Sequence, residues 1–173
     1  PLLGIINPFA YYLILFAAYD RLPAHIAQPL NYTWAITLAI LSVPLLNESL
    51  TKRTIAGFLI SYAGVVTLIY SSETQSADTI DFLGVGLALL STLLWALYWL
   101  INKKSQSDPL SMIFIAFSMA LPLSLVACLS GPGLPQLNNE ALVFGTWVGL
   151  IEMGITYLLW ETAISRSAKT AQI

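Results

Sequence analysis

Glu152 is a carboxylate near the middle of an apolar run, 141–164. An ionised carboxylate at that depth in lipid costs roughly 2.5 kcal/mol or more. At about 100° per residue, Gly145, Gly149, Glu152 and Thr156 share one helix face. A stripe so small and polar is expected to face protein or a water-filled cavity rather than acyl chains. The chemistry it suits is binding a proton or a substrate amine; the plainer reading is a protonated Glu bonding a neighbouring helix. Glu161 lies nine residues on, half a turn out of phase, and five residues before Arg166. An interfacial ion pair with Arg166 is expected for it.

Two other runs carry groups able to hold a small molecule. Over 24–47, Gln28, Asn31, Tyr32, Ala35, Ala39 and Ser42 form a stripe, and Pro29 and Pro44 invite kinks. Asn31 and Tyr32 suit either a substrate or hydrogen bonding between helices, whereas Ser42 suits packing. Over 82–102, Gly84, Ala88, Ser91, Trp95, Tyr98 and Asn102 share a face. Trp95 and Tyr98 could wall a flat or cationic ligand, or Tyr98 could belong to an interfacial belt. Trp99 is expected to face lipid.

The elements that must position these residues are membrane helices. Of the 173 residues, 57% are hydrophobic and 9% charged, and the mean hydropathy is +0.77. A soluble domain carries about 25% charged residues, so lipid is the expected solvent. The net charge of −2 gives no footprint for nucleic acid. Cys128 is the sole cysteine and His25 the sole histidine, which excludes an internal disulfide and any triad or metal set built on several such residues. His25 itself reads as an interfacial polar residue. No phosphate-binding loop or dinucleotide fingerprint is present, so neither ATP-driven pumping nor a cofactor is expected.

Six stretches are long enough to span a bilayer: 2–19, 24–47, 54–71, 82–102, 110–130 and 141–164. Lys52, Arg53, Lys103, Lys104, Arg166 and Lys169 fall on one side of the resulting topology, and Arg21 on the other with Glu73, Asp78, Asp81 and Glu140. The basic side is expected to be cytoplasmic. Gly57, Ser61 and Gly64, like Gly145 and Gly149, have the spacing of close helix contacts. Glu48, in a cytoplasmic turn, is expected to cap the following helix or to pair with Lys52 or Arg53.

A shift of 145 positions lays Gly4–Gln28 on Gly149–Ile173, with identities at Gly4/Gly149, Ile6/Ile151, Tyr12/Tyr157, Leu13/Leu158, Ala18/Ala163 and Arg21/Arg166. The matched segments are five spans apart, an odd number, so they must cross the membrane in opposite directions. The counterpart of the Glu152 stripe is Gly4, Asn7 and Tyr11, which puts a hydrogen-bonding side chain at the same depth in each half. Inverted repeats of this kind are typical of secondary transporters, with the substrate site near the midplane between them.

The chain resembles the drug/metabolite transporter superfamily, in particular its EamA-type members. The resemblance rests on Leu22-Pro23-Ala24 through Gln28-Pro29-Leu30-Asn31-Tyr32-Thr33-Trp34 to Pro44, similar to the family's fourth helix. It rests also on Asn47-Glu48-Ser49-Leu50-Thr51 with Ala56-Gly57 and Ala63-Gly64-Val65-Val66, similar to its Gly-Glu-x-Leu-Thr loop and fifth helix. Asn47 stands where the family commonly has Gly. Gly84 through Leu94-Trp95-Ala96-Leu97-Tyr98 resembles the sixth helix.

The resemblance implies an all-α polytopic bundle of two inverted five-helix repeats, of which six helices are present. Residues 1–72 would end the first repeat (helices three to five). Residues 73–81 would be an extracytoplasmic linker, and 82–173 would begin the second repeat, up to the start of a ninth helix. The expected activity is export or exchange of small metabolites such as amino acids or drug-like compounds, by alternating access, at a bacterial inner membrane. Substrate would be bound by Asn7, Tyr11, Asn31, Tyr32, Trp95, Tyr98, Glu152 and Thr156, with Glu152 the candidate for proton coupling. No catalytic residue, metal or cofactor is expected. The expected partners are a small-molecule substrate and the lipid bilayer, not nucleic acid, and a second copy of the chain is left open. The alternatives are an intramembrane enzyme on lipid-linked substrates, which would need more clustered acids or histidines, and a non-transporting membrane scaffold.

Overall fold

Helices form where the apolar runs stand, and caps and prolines set their ends. The computed structural model describes residues 2–73, 81–105, 108–131, 133–134 and 136–167. The proposed linker, except its two end residues, and the expected start of a ninth helix lie outside them.

We number six helices. Helix α1 covers residues 2–19 and is broken at Asn7. Helix α2 is Ala24–Leu46, with a bend at Thr33 between Ala24–Tyr32 and Trp34–Leu46. The others are α3, Lys52–Glu73, α4, Phe82–Ser105, α5, Pro109–Ser130, and α6, Asn139–Arg166. Among the described residues α2, α4, α5 (from Leu110) and α6 are each long and apolar enough to cross a membrane.

Polar residues between the runs supply the caps. Asp108 accepts a hydrogen bond from the Ser111 N–H at 2.8 Å, and Pro109 follows it as the first helical residue. That bond holds the Asp108 carboxyl below the ordinary aspartate range. Asn138 caps α6 by accepting from the Ala141 N–H at 2.7 Å. At the end of α2, Asn47 adopts the left-handed conformation (φ 54°, ψ 34°) and its N–H bonds the Ser42 carbonyl. Asn is the next best residue to Gly in that conformation, which accounts physically for Asn47 at this turn.

Helix α4 is the hub. Gly84, Ala88, Ser91, Ala96, Tyr98, Trp99, Leu100 and Asn102 are buried on it, and α1, α2 and the end of α6 pack against it. Close approach depends on glycine at two places. A Cβ at Gly84 would lie 2.7 Å from Leu22 Cγ, and one at Gly4 would lie 2.4 Å from the Ala116 carbonyl oxygen of α5. Thr37 and Thr92 tie α2 to α4 through their hydroxyls, 3.1 Å apart.

Polar links fix the running directions. Arg21, just past α1, donates to Asp81 Oδ2, just before α4, at 3.0 Å, and this bond holds the Asp81 carboxyl below its ordinary range. At the other end Lys103 Nζ donates to Glu48 Oε1 at 3.1 Å and to Ser167 Oγ at 3.2 Å. Helices α2, α4 and α6 therefore finish at one end of the bundle, and α1 finishes at the other. Helices α1 and α6, the two halves of the internal match, run antiparallel.

Several expectations are corrected here. Trp99 does not face lipid: it is fully buried, because its position on α4 faces α6. Glu48 reaches across to Lys103 of α4, since the end of α2 lies beside the end of α4. Glu161 forms no ion pair with Arg166 among the described residues; it is buried while Arg166 is exposed. Gly57, Gly64, Gly145 and Gly149 meet no described neighbour, and the stripe Gly145, Gly149, Glu152 and Thr156 lies on an exposed face.

Candidate functional site

The break in α1 begins with Pro8. Proline has no N–H, and its ring pushes the preceding residue out of the helical region. Asn7 accordingly sits at φ −144° and ψ 125° in the middle of an apolar helix. Its side chain is completely buried, yet neither the amide nitrogen nor the amide oxygen has a partner among the described residues. Buried side-chain amides are nearly always hydrogen-bonded in folded proteins.

One turn on, the helix resumes and presents Tyr11, whose hydroxyl donates to Asn31 Oδ1 of α2 at 3.2 Å. Asn31 Nδ2 donates to Ser91 Oγ of α4 at 3.0 Å, and Ser91 Oγ donates to the Ala88 carbonyl at 2.7 Å. This relay joins three helices, and the kink-prone sequence around Pro29 places Asn31 within it.

Aromatic rings enclose the same region. Trp95 of α4 lies at the centre, with ring centroids 4.7 Å from Tyr11, 5.8 Å from Trp34 and 5.4 Å from Tyr157. Trp99 continues the wall to Tyr157 at 5.4 Å and to Tyr98 at 4.9 Å, and Trp34 meets Trp160 edge-on at 5.2 Å. The indole N–H groups of Trp95, Trp99 and Trp160 and the Tyr157 hydroxyl are buried without a partner among the described residues. The Tyr157 hydroxyl faces Asn7 and Tyr12 without reaching hydrogen-bond geometry. Buried Trp and Tyr normally find a partner for their polar ends. Four such donors and one amide thus stand buried without a described partner in and beside this aromatic cluster, and groups of these types take both the face and the hydrogen-bonding edge of a small organic molecule. An open groove of about 510 Å³ lined by Thr37, Tyr62, Gly86, Leu89, Leu90, Thr92 and Leu93 includes none of these groups.

Helix α6 is irregular at the matching place. Over Val148–Thr156 its backbone bonds span five residues instead of four, and the Thr156 hydroxyl donates to the Ile151 carbonyl five residues back at 2.9 Å. Wide turns of this kind occur often at functional sites. Under the 145-residue shift the α1 irregularity Ile5–Ala10 falls inside Val148–Thr156, and Asn7 falls on Glu152.

The structure thus gathers Asn7, Tyr11, Asn31 and Trp95 of the residues expected from the sequence. Tyr98 is buried one layer nearer the end of α4, against Trp99. Tyr32 is 62% exposed, about 100° around α2 from buried Asn31. Thr156 is exposed and its hydroxyl is bonded to its own helix. Glu152 is exposed as well, though its carboxylate is within electrostatic range of the Tyr11 and Tyr12 hydroxyls. Trp34, Trp99, Tyr157 and Trp160 were not singled out as site residues. Tyr157 had one signal, its identity with Tyr12 in the internal match. Among the described residues no three His, Cys, Asp or Glu side chains come together as metal ligands.

A model of the EamA-like transporter family matches residues 2–70 and 82–172. The chain is 23% identical over 171 residues to the uncharacterized transporter YyaM of Bacillus subtilis, covering 94% of the chain and 55% of that protein. It is 22% identical over 166 residues to an uncharacterized transporter of Archaeoglobus fulgidus, covering 92% of the chain and 56% of that protein. The chain spans about half the length of these relatives. No solved structure matches it.

Proposed function

The chain belongs to the EamA-like transporter family of multi-pass membrane proteins, and we propose that it forms the middle helices of a secondary carrier for small metabolites. The site would be the aromatic and amide-lined region behind the α1 break. Asn7 would hydrogen-bond the solute, Tyr11 and Asn31 would hold the α1–α2–α4 geometry, and Trp95 would supply the ring face. Amino acids and drug-like compounds are the expected class. A flat or cationic group suits the Trp95 face best, since aromatic quadrupoles attract cations.

The observation that carries this reading is the interruption of α1 at Asn7, with a buried amide that no described protein group satisfies. Irregular backbone at membrane depth is tolerated where it lines a cavity or is enclosed by protein. The matching wide turn in α6 supports two halves arranged about one centre. In alternating access the halves would rock about that centre, with the Lys103 end of the bundle cytoplasmic, in a bacterial inner membrane. The reading is of a carrier and not an enzyme.

Glu152 would act at the edge of this region, taking up a proton as the solute leaves. The test is flux of ethidium and of labelled amino acids in liposomes carrying the full protein, with and without a pH gradient. The account expects flux that falls at least about tenfold in Trp95→Ala and loses its dependence on the gradient in Glu152→Gln. Gradient-dependent transport at the wild-type rate in Glu152→Gln would remove that residue from the mechanism.

A further inference from the structure

Glu161 lies one turn beyond Tyr157 on α6 and is 2% exposed. Its Oε2 has no hydrogen-bond partner among the described residues. Asn102 of α4, also 2% exposed, has both amide atoms in the same condition. Tyr98, one turn before Asn102, lies near its amide and within electrostatic range of the Glu161 carboxylate. Asn102 and Glu161 stand at one level of the α4–α6 contact, between the Trp99–Tyr157 ring contact and the Lys103–Ser167 hydrogen bond, with Tyr98 one turn before Asn102, near the end of the bundle where α4 and α6 finish.

Among the described residues Glu161 makes no ion pair. On α4, Lys103 is engaged by Glu48 and Ser167. On α6, Arg166 is exposed and makes no ion pair with Glu161 among the described residues. Helix α5, which packs on this part of α6, has no Asp, Glu, Lys, Arg, His or Tyr within it and carries Cys128 near its far end. Above Glu161, Tyr157, Trp99 and Trp160 close the space toward the aromatic region. A carboxylate withdrawn from water with no described counter-ion is held at high cost, and a buried polar group without a partner calls for a water, an ion or another group to meet it.

We propose that Glu161, Asn102 and Tyr98 form a buried site for one small monovalent cation, a proton or a sodium ion, adjoining the aromatic region at the Tyr98–Trp99 contact and distinct from Glu152. The Glu161 carboxylate carries the compensating charge, and the Asn102 carbonyl and Tyr98 hydroxyl are the neutral oxygens. A proton adds to Oε2 with no other bond made or broken; sodium binds the ionised form. The site does not depend on the transport reading, because its occupancy is measurable without flux.

Infrared difference spectroscopy of the full protein in liposomes, from acid to alkaline pH in sodium chloride and in choline chloride, tests it. The expected result is a protonated-carboxyl band that disappears on alkalinisation. It should be missing in Glu161→Gln, shifted in Glu161→Asp and retained in Glu152→Gln. Loss of the band at lower pH in sodium than in choline identifies sodium as the cation; coincident curves identify the proton. Far-ultraviolet dichroism checks that the variants are folded, and the wild-type titration stands without them. Absence of any Glu161-dependent band, or a band that never titrates while the protein stays folded, would overturn the assignment.

Discussion

Asn31 shows how one side chain can tie three helices together. Its oxygen accepts from Tyr11 and its nitrogen donates to Ser91, so Asn31→Leu strands a buried hydroxyl on α1 and alters the bonding of Ser91 on α4. Leaving a buried donor or acceptor unmet costs about 1–3 kcal/mol. A lower thermal unfolding midpoint in detergent is expected for Asn31→Leu, with little change in Tyr32→Leu, whose side chain lies 62% exposed. Equal destabilisation by the two would contradict the relay. The residue scale is also where the sequence was least legible. A helical wheel places Asn31 and Tyr32 on one broad stripe, but a difference of 100° is enough to bury the first and expose the second. Likewise the apolar run around Glu161 gives the same sequence whether that carboxylate faces an interface or a bundle interior. Only the neighbouring helix decides, and periodicity does not name neighbours.

At the scale of elements, the two small-residue classes separate cleanly. Gly84 and Gly4 hold helices against Leu22 and Ala116 at distances where no Cβ fits. Gly57 and Gly64 on α3 have open space. Overpacking costs typically 1–3 kcal/mol, whereas Gly→Ala in a free helix gains up to about 1 kcal/mol. Thermal unfolding should therefore show Gly84→Ala destabilised and Gly57→Ala unchanged or stabilised; the reverse order would refute the packing described for α4. The Arg21–Asp81 link between α1 and α4 gives a pH prediction. Bonding to Arg21 lowers the Asp81 pKa, so its contribution is present above the unfolded value and is lost as pH falls through the folded one. The stability difference between wild type and Asp81→Asn should stay constant from neutral pH down to the ordinary aspartate range and shrink only in stronger acid. The pair is partly exposed, so the difference is small. A gap that closes already near neutral pH would contradict the link. The six helices and their approximate ends were readable because length and hydropathy determine them directly. The break at Asn7 was not read, although Pro8 signalled it, because a proline within an apolar run kinks some helices and interrupts others.

For the whole molecule, the central feature is the opposite running directions of α1 and α6, with irregular turns at equivalent positions. The internal match and the basic residues made that direction legible from the sequence. What they could not give was which polar group at the two turns faces inward. In the structure Asn7 is enclosed and Glu152 is exposed. Solute binding is proposed for the α1 turn and ion handling for α6.

Flux through Asn7→Leu is the most direct measurement of that assignment. The substitution keeps the heavy-atom count and branching of the side chain and removes the amide, so the protein should insert and fold while losing ethidium and amino-acid flux in liposomes. Wild-type flux in a folded Asn7→Leu protein would contradict a solute site at the α1 break.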